Sequence, residues 1–232
     1  IMYNTIIIKE KIKQFLMEDC SYKDISSFIL PEKGPVRANI IAKSSGYISG
    51  LEELKILYDL LGVTVNLHKN DGDPIKPGEI IALLEGNVHA ILLGERVALN
   101  LVTHMSAITS TTKKYVTLVE NAGKKIKIAC TRKTLPGLRI FEKKAVELGG
   151  GDPHRFSLDD MILLKDTHLK YYEGDVKRLL FDTMRKVSFT KKIEIEIEKA
   201  EDILMAARNG ANIIMLDNMP PREVKKAITL LN

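Results

Sequence analysis

The 232-residue chain contains no tryptophan and only two cysteines, Cys20 and Cys130. Two thiols cannot build a disulfide framework, and neither sits in a CxxC pair of the kind that binds zinc or runs redox chemistry, so a reducing, cytoplasmic setting is expected. Aromatic residues make up 6% of the chain. That is too few for the rows of stacking platforms that single-stranded nucleic acid needs, which weakens a reading as a noncatalytic nucleic-acid or anion-binding module. No apolar run approaches the ~18 residues of a membrane span, and the first residues lack a signal-peptide pattern. A long basic tail is missing too. The formal charge of +5, from 35 Lys and Arg against 30 Asp and Glu, is therefore a local excess that favours anionic partners such as phosphorylated metabolites and polycarboxylates.

What is present is a chain with 45% hydrophobic residues, enough to bury a core in one large domain or two modest ones. Ile8, Ile12, Phe15 and Leu16 share one helical face, which predicts a first amphipathic helix. Segments 36–49 and 63–84 read as short strands between turn clusters such as Asn70-Asp71-Gly72-Asp73 and Lys76-Pro77-Gly78. Between them a helix over 51–61 closes at Gly62. From Val88 the spacing of Ile91, Leu92, Glu95, Leu99 and Val102 predicts a helix, followed by a second over about 106–121. The change of pattern places a domain boundary near His104, between an N-terminal α+β sandwich domain (1–104) and a second domain (105–232).

Beyond Gly123 strands alternate with helices. Strands are expected over 126–131, 161–165, 193–197 and 213–217. Helices are expected from Pro136 to Gly149, with Leu138, Phe141, Ala145 and Leu148 on one face, and over 175–187, 200–209 and 221–231. Four βα units in succession predict an α/β fold with a parallel sheet, open or closed. Four strands fall short of the eight that commonly close a parallel α/β barrel. The first residue is Ile1. Both features lead us to expect a longer gene product and a barrel incomplete within this chain.

In parallel α/β folds ligands bind at the carboxyl ends of the strands. The four expected strands end in Thr131-Arg132-Lys133, in Lys165-Asp166, in the alternating Glu194, Glu196 and Glu198, and in Asp217-Asn218. The loop Gly149-Gly150-Gly151-Asp152-Pro153-His154-Arg155 adds cations before the second. Taken singly, each has a bland reading: a solvated Arg or Lys, a capping histidine, a glycine helix stop, a strand with one wet face. Their coincidence at successive strand ends points to one rim where cations hold phosphates and carboxylates and acids hold Mg²⁺ or ribose hydroxyls.

The same residues carry a family likeness. TRKTLPGLR at 131–139, Glu142-Lys143, Ala145-Val146, GGGDPHR at 149–155 and LLKDTH at 163–168 resemble, in order, the central signature of quinolinate phosphoribosyltransferases. The likeness continues through 193–198 and Met215-Leu216-Asp217-Asn218, and upstream through Gly94-Glu95-Arg96-Val97-Ala98-Leu99-Asn100 and Ser106-Ala107-Ile108-Thr109. It implies a type II phosphoribosyltransferase-like barrel and a step of NAD biosynthesis: quinolinate and phosphoribosyl pyrophosphate, with Mg²⁺, give nicotinate mononucleotide, pyrophosphate and CO2. By resemblance, Arg132, His154, Arg155 and Lys165 hold the carboxylates of the acid, Thr131 is substrate-binding, and Lys133 faces the phosphoribosyl pyrophosphate. Glu196, Asp166 and Asp217 hold ribose hydroxyls, Glu196 and Asp217 also the metal. Lys133, Lys165, Glu196 and Asp217 are the expected catalytic residues. Arg96 resembles an arginine that reaches the neighbouring subunit's active site, which implies a homodimer or a dimer-based oligomer.

There are departures. Thr167 stands where the family has asparagine, Lys23-Asp24-Ile25-Ser26 is a loosened form of a GDxT element, and the glycine-rich phosphate loops expected after Asp217 lie past Asn232. A chain without them is expected to turn over weakly or not at all. The rivals are a nicotinate phosphoribosyltransferase or the molybdenum-transport-associated homologue of the same fold. The number of cations favours the diacid over nicotinate. The turn 71–79 also resembles a lipoyl-type hairpin, but no lysine sits at an obvious modification tip, and a place in the substrate-domain sheet is preferred.

Overall fold

The computed structural model of the chain describes residues 3–31 and 34–231. They form two compact units, Ile1–His154 and Arg155–Asn232.

The first unit opens with α1 (Thr5–Asp19), where the Asn4 side chain accepts from the Ile6 N–H. Ile8 and Ile12 are fully buried, as their spacing predicts. Next come β1 (Val36–Ile41), β2 (Gly46–Tyr47), α2 (Leu51–Leu60), β3 (Thr64–Leu67), β4 (Pro74–Ile75), β5 (Ile80–Gly86), α3 (Val88–Asn121) and α4 (Arg139–Leu148). β5 lies centrally between β1 and β3, all antiparallel, and β2 pairs with β4 in a two-residue ladder. Of the segment that resembled a carrier hairpin, Pro74–Ile75 enter this ladder, and the residues on either side form turns. Leu61 and Gly62 end α2, and Gly62 takes φ +70°, which glycine adopts without strain.

Two helices were expected between Val88 and Asn121; there is one of 34 residues. No Gly or Pro interrupts 95–121, so nothing in the backbone chemistry stops propagation at Ser106. His104 lies within it. The buried stripe is Ile91, Gly94, Val97, Ala98, Leu101, Val102 and Met105, while Leu92 and Glu95 face solvent. Gly94 is required by packing: a Cβ there would come within 2.8 Å of Leu57 and 2.9 Å of Tyr58 on α2. Tyr58 is buried beside it and donates to the Ile91 carbonyl at 3.2 Å.

The expected strand at 126–131 is reduced to one parallel bridge between Ala129 and Asp152, with Cys130 N–H donating to the Asp152 carbonyl at 3.0 Å and Asp152 N–H to that of Ile128 at 2.8 Å. Its alternating sequence has the strand period, but the partner segment turns away at Pro153, which has no N–H to extend the pairing.

α4 carries two buried lysines. Lys144, 4% exposed, meets Glu53 of α2 at 2.7 Å and also bonds Glu52. Burial opposes its charge, yet the two carboxylates hold the ammonium above the usual lysine range. Glu53 is fully buried, and its Oε2 has no hydrogen-bond partner among the described residues.

The second unit is built of β6 (Ile162–Leu164), α5 (Asp166–Tyr171), α6 (Val176–Lys186), β7 (Ile193–Ile197), α7 (Ala200–Arg208), β8 (Ile213–Leu216) and α8 (Pro221–Leu231). The sheet is parallel in the order β6-β7-β8. Leu164, Ile193, Ile195 and Ile197 bury with Leu179 and Leu180 of α6, Ile203 and Ala206 of α7 and Ala227 of α8. Three of the four expected βα units are thus formed as ladders, and the short α5 was not foreseen.

Lys144→Ala strands the Glu53 carboxylate in the core and should destabilise the chain by ~3–5 kcal/mol, whereas the paired change Lys144→Met with Glu53→Leu should recover most of the loss. Urea midpoints of the two variants check this.

Candidate active site

Parallel register decides which side chains share a face. Leu164 pairs with Ile195 and Ile195 with Ile214, so the next residues, Lys165, Glu196 and Met215, stand in a row on the opposite face. Glu194 lies one step below, and Glu198 and Asp217 one step above. One face of this sheet is therefore hydrocarbon under helices, and the other carries a row of charges. Parallel strands usually read as apolar on both faces.

The alternation in β7 does not mark a wet face. Glu194 is 2% exposed, and the Glu196 side chain 15%, with Lys165 Nζ at 3.4 Å from its Oε1. Asp217 is half-buried at the end of β8. Its N–H donates to the Ile197 carbonyl at 3.1 Å, and its Oδ2 accepts from Asn218 Nδ2 at 3.0 Å. Asn218 has φ +52°, a conformation Asn tolerates better than most residues.

Lys165 is fixed from its own backbone. Its N–H donates to Nδ1 of His168 at 3.0 Å, the reach-back of a capping box from the third position of a helix. At these two positions LLKDTH has Lys and His in place of the Ser/Thr and Glu/Gln of the usual signature, so this bond was not legible in the sequence. Asp166 opens α5 and is drawn to Lys170, 2.7 Å away and one turn on. The Lys170 ammonium holds its carboxyl below the usual aspartate range. Arg155 is 5% exposed and donates from Nη1 to the Met161 carbonyl at 3.2 Å.

In the first unit Thr131 and Lys133 are exposed on the loop before α4, and Arg132 is half-buried. Lys133 N–H donates to Thr131 Oγ1 at 3.0 Å. Arg132 Nε is buried without a hydrogen-bond partner among the described residues, a donor left open in a protein interior. Glu142, near the start of α4, accepts from Leu135 N–H at 3.3 Å and from His104 Nε2 at 3.0 Å through the same oxygen. Neither partner could be paired with it from sequence.

His154 has φ +53°, and its N–H donates to Asp152 Oδ1 at 2.9 Å. Lys127, at 2.8 Å, holds the Asp152 carboxyl below its ordinary range. Arg96 is exposed on α3 at a cavity of about 600 Å³ that Asn100, His104, Glu18, Asp19, Pro136 and Leu138 also line.

The triple glycine serves packing. A Cβ on Gly149 would lie 2.6 Å from Thr112 Cβ, and one on Gly151 2.7 Å from Val146 and 2.8 Å from Thr112, while Gly150 takes φ +86°. These positions are thus set by close packing against α3 and, for Gly151, against Val146 of α4. No group of three or more His, Cys, Asp or Glu able to hold a metal occurs among the described residues, and no helix among them is long and apolar enough to cross a membrane.

Two family models match in tandem, the N-terminal domain of quinolinate phosphoribosyl transferase over residues 24–106 and its C-terminal domain over 108–232. The chain belongs to the quinolinate phosphoribosyltransferase family. A probable nicotinate-nucleotide pyrophosphorylase (carboxylating) of Archaeoglobus fulgidus is 44% identical over 89% of this chain and 78% of its own length. The human nicotinate-nucleotide pyrophosphorylase (carboxylating) is 32% identical over 95% of this chain and 73% of its own length. Among solved structures, NadC from Streptococcus pyogenes superposes with a TM-score of 0.92 at 37% identity, covering 100% of this chain and 82% of that one. These matches establish for this phosphoribosyltransferase the architecture expected from sequence: a small N-terminal α+β domain and a C-terminal domain built on a parallel sheet.

Loss of the His168 acceptor should loosen the start of α5. His168→Ala is expected to lower stability by ~1 kcal/mol, and His168→Glu, which restores an acceptor at that position, to recover most of it. Thermal unfolding reads both.

Proposed function

We propose that the chain transfers the phosphoribosyl group of phosphoribosyl pyrophosphate to quinolinate with decarboxylation, yielding nicotinate mononucleotide, pyrophosphate and CO2 for NAD biosynthesis. The carboxylating pyrophosphorylases to which it is similar are named for the reverse of this reaction. The observation that carries the reading is the charged face of the parallel sheet, where Lys165 stands 3.4 Å from Glu196 and Asp217 directly follows the next strand. An acceptor acid, a leaving pyrophosphate and a cationic sugar carbon call for this mixture of signs.

In this reading Thr131, Arg132, His154, Arg155 and Lys165 bind the two carboxylates of quinolinate, and the open Nε–H of Arg132 supplies one unmet donor. Lys133 faces the phosphoribosyl pyrophosphate. The bond from the anomeric carbon to pyrophosphate breaks as the pyridine nitrogen forms its bond to that carbon, and the Glu196 carboxylate stabilises the positive charge that develops there. The positioned acid and sugar replace a chance encounter, so no protein nucleophile is needed. The carboxylate beside the ring nitrogen then leaves as CO2, its electron pair drawn toward the cationic nitrogen, and the ring carbon takes up a proton. Asp166 and Asp217 hold ribose hydroxyls, Asp166 by giving up its pair with Lys170.

Two carboxylates, without a third ligand, suit an ion that keeps waters and shares substrate phosphates, which is the habit of Mg²⁺. Glu196 and Asp217 would hold it, and when bound it offsets charge on the departing pyrophosphate.

We further infer a cytoplasmic homodimer or dimer-based oligomer in which Arg96 acts across the interface. Supporting this is the apolar surface of Tyr22, Ile25, Phe28 and Ile29, exposed by 97, 77, 68 and 82%, an arrangement typical of surfaces that meet a partner.

Turnover assays on the full-length protein decide the reading. Labelled CO2 should be released from quinolinate with phosphoribosyl pyrophosphate and Mg²⁺, chelation should stop it, and Lys165→Ala or Glu196→Gln should reduce kcat on the order of 10²-fold or more. Preferential use of nicotinate would overturn the choice of substrate.

A further inference from the structure

We infer that Glu142 is the positioning residue for the loop that presents Arg132 and Lys133, with His104 fixing the direction of its carboxylate; this rests on the reaction proposed above. The loop is pinned at two points. Upstream, Cys130 N–H donates to the Asp152 carbonyl at 3.0 Å, and the fully buried Lys143 reaches Cys130 Sγ at 3.5 Å. Downstream, Leu135 N–H donates to Glu142 Oε1 at 3.3 Å. Arg132 and Lys133 lie between the pins.

The other bonds of this stretch link it to itself or to Arg139 at the start of α4: Lys133 to Thr131, Thr134 to the Arg132 carbonyl, Arg139 to Thr134. They set the local turn without fixing it to the body of the unit. Glu142 does so. Its side chain is 12% exposed, and an ionised carboxylate only accepts, so the proton on the 3.0 Å contact belongs to His104 Nε2. One oxygen thereby joins the loop to α3 by two bonds, each strengthened by the acceptor's charge. Since α3 is held in the core by Leu101, Val102 and Met105, the tether ends on a rigid element. Freed at Leu135, the loop would let the guanidinium of Arg132 drift, and a misplacement of about 1 Å in a substrate-holding group lowers catalytic efficiency on the order of 10²-fold.

The test compares Glu142→Ala, Glu142→Gln and Phe141→Leu. Phe141 neighbours Glu142 on α4, is fully buried and contacts Phe15 with ring centroids 5.7 Å apart, so its truncation destabilises the same helix without touching the tether. Glu142→Ala should raise KM for quinolinate and phosphoribosyl pyrophosphate on the order of 10- to 100-fold with a much smaller change in kcat. Glu142→Gln keeps an acceptor and should restore KM to within about threefold of the parent. Phe141→Leu should lower the unfolding temperature and leave KM alone. An unchanged KM in Glu142→Ala, failure of Gln to rescue, or an equal rise in Phe141→Leu would each overturn the inference. Should the full-length parent protein itself not turn over quinolinate, the reaction reading fails, and amide exchange at Leu135 then decides the tether separately. Exchange accelerated in Glu142→Ala and normal in Glu142→Gln supports it; unaltered exchange in Glu142→Ala refutes it.

Discussion

The alternation in β7 is the constraint on which the second unit depends. Ile193, Ile195 and Ile197 face the helices and are at most 5% exposed; Glu194 and Glu196 face the other way. A one-residue slip would drive the carboxylates into the helix-packed core and bring the isoleucines to the charged face, reversing every favourable term at once. The register is therefore over-determined, and with it the placement of Glu196 beside Lys165. On that face Glu194 is held at 2% exposure, while Glu196 keeps 15% of its side chain open beside Lys165.

Within each unit the backbone is anchored by bonds that do no chemistry. His168 ties down the main chain of Lys165, Asp152 holds that of His154, and Glu142 holds the loop after Lys133. The glycines of 149–151 let the chain cross α3 at distances that a side chain would forbid. Long flexible side chains such as Lys and Arg carry much rotamer entropy. Fixing the backbone from which they spring is the cheaper half of preorganisation, because hydrogen bonds to backbone are short and directional, and the remaining freedom is removed when the ligand arrives.

The legible parts of the sequence were those governed by period and by residue chemistry. Ile8 and Ile12 announced α1; the alternation at 193–197 and the apolar runs at 162–164 and 213–216 announced the parallel strands; the run of motif residues from Thr131 to His168 announced the family. The parts that were not legible depend on partners distant in the chain. Nothing in 126–131 shows that its neighbour will turn away at Pro153. The period of β7 gave its two faces, but only the three-dimensional packing made the glutamate face a buried one. Glycine's dual use, for positive φ and for close approach, left Gly149 to Gly151 readable as a plain helix stop until Thr109 and Thr112 of α3 were seen against them. The pairing of Glu142 with His104 spans 38 residues, and no local rule encodes it.

Choice of acid follows from the same physics. A buried donor such as Arg132 Nε, unpaired among the described residues, carries a desolvation penalty of ~1–3 kcal/mol, which in the proposed reading a carboxylate of the acid would relieve. Sites of this kind discriminate more sharply against a ligand that lacks an acceptor than an apolar pocket does against one that lacks a methylene, because the loss leaves protein groups unpaired as well as removing a contact. Nicotinate has one carboxylate where quinolinate has two, so with nicotinate some of the cations assigned to the acid would stay both desolvated and unanswered. Only the diacid also carries the carboxylate next to the nitrogen that must depart as CO2. Binding preference and reaction outcome are thus fixed by the same group on the substrate, and a cation aimed at that group selects for the molecule that can complete the reaction.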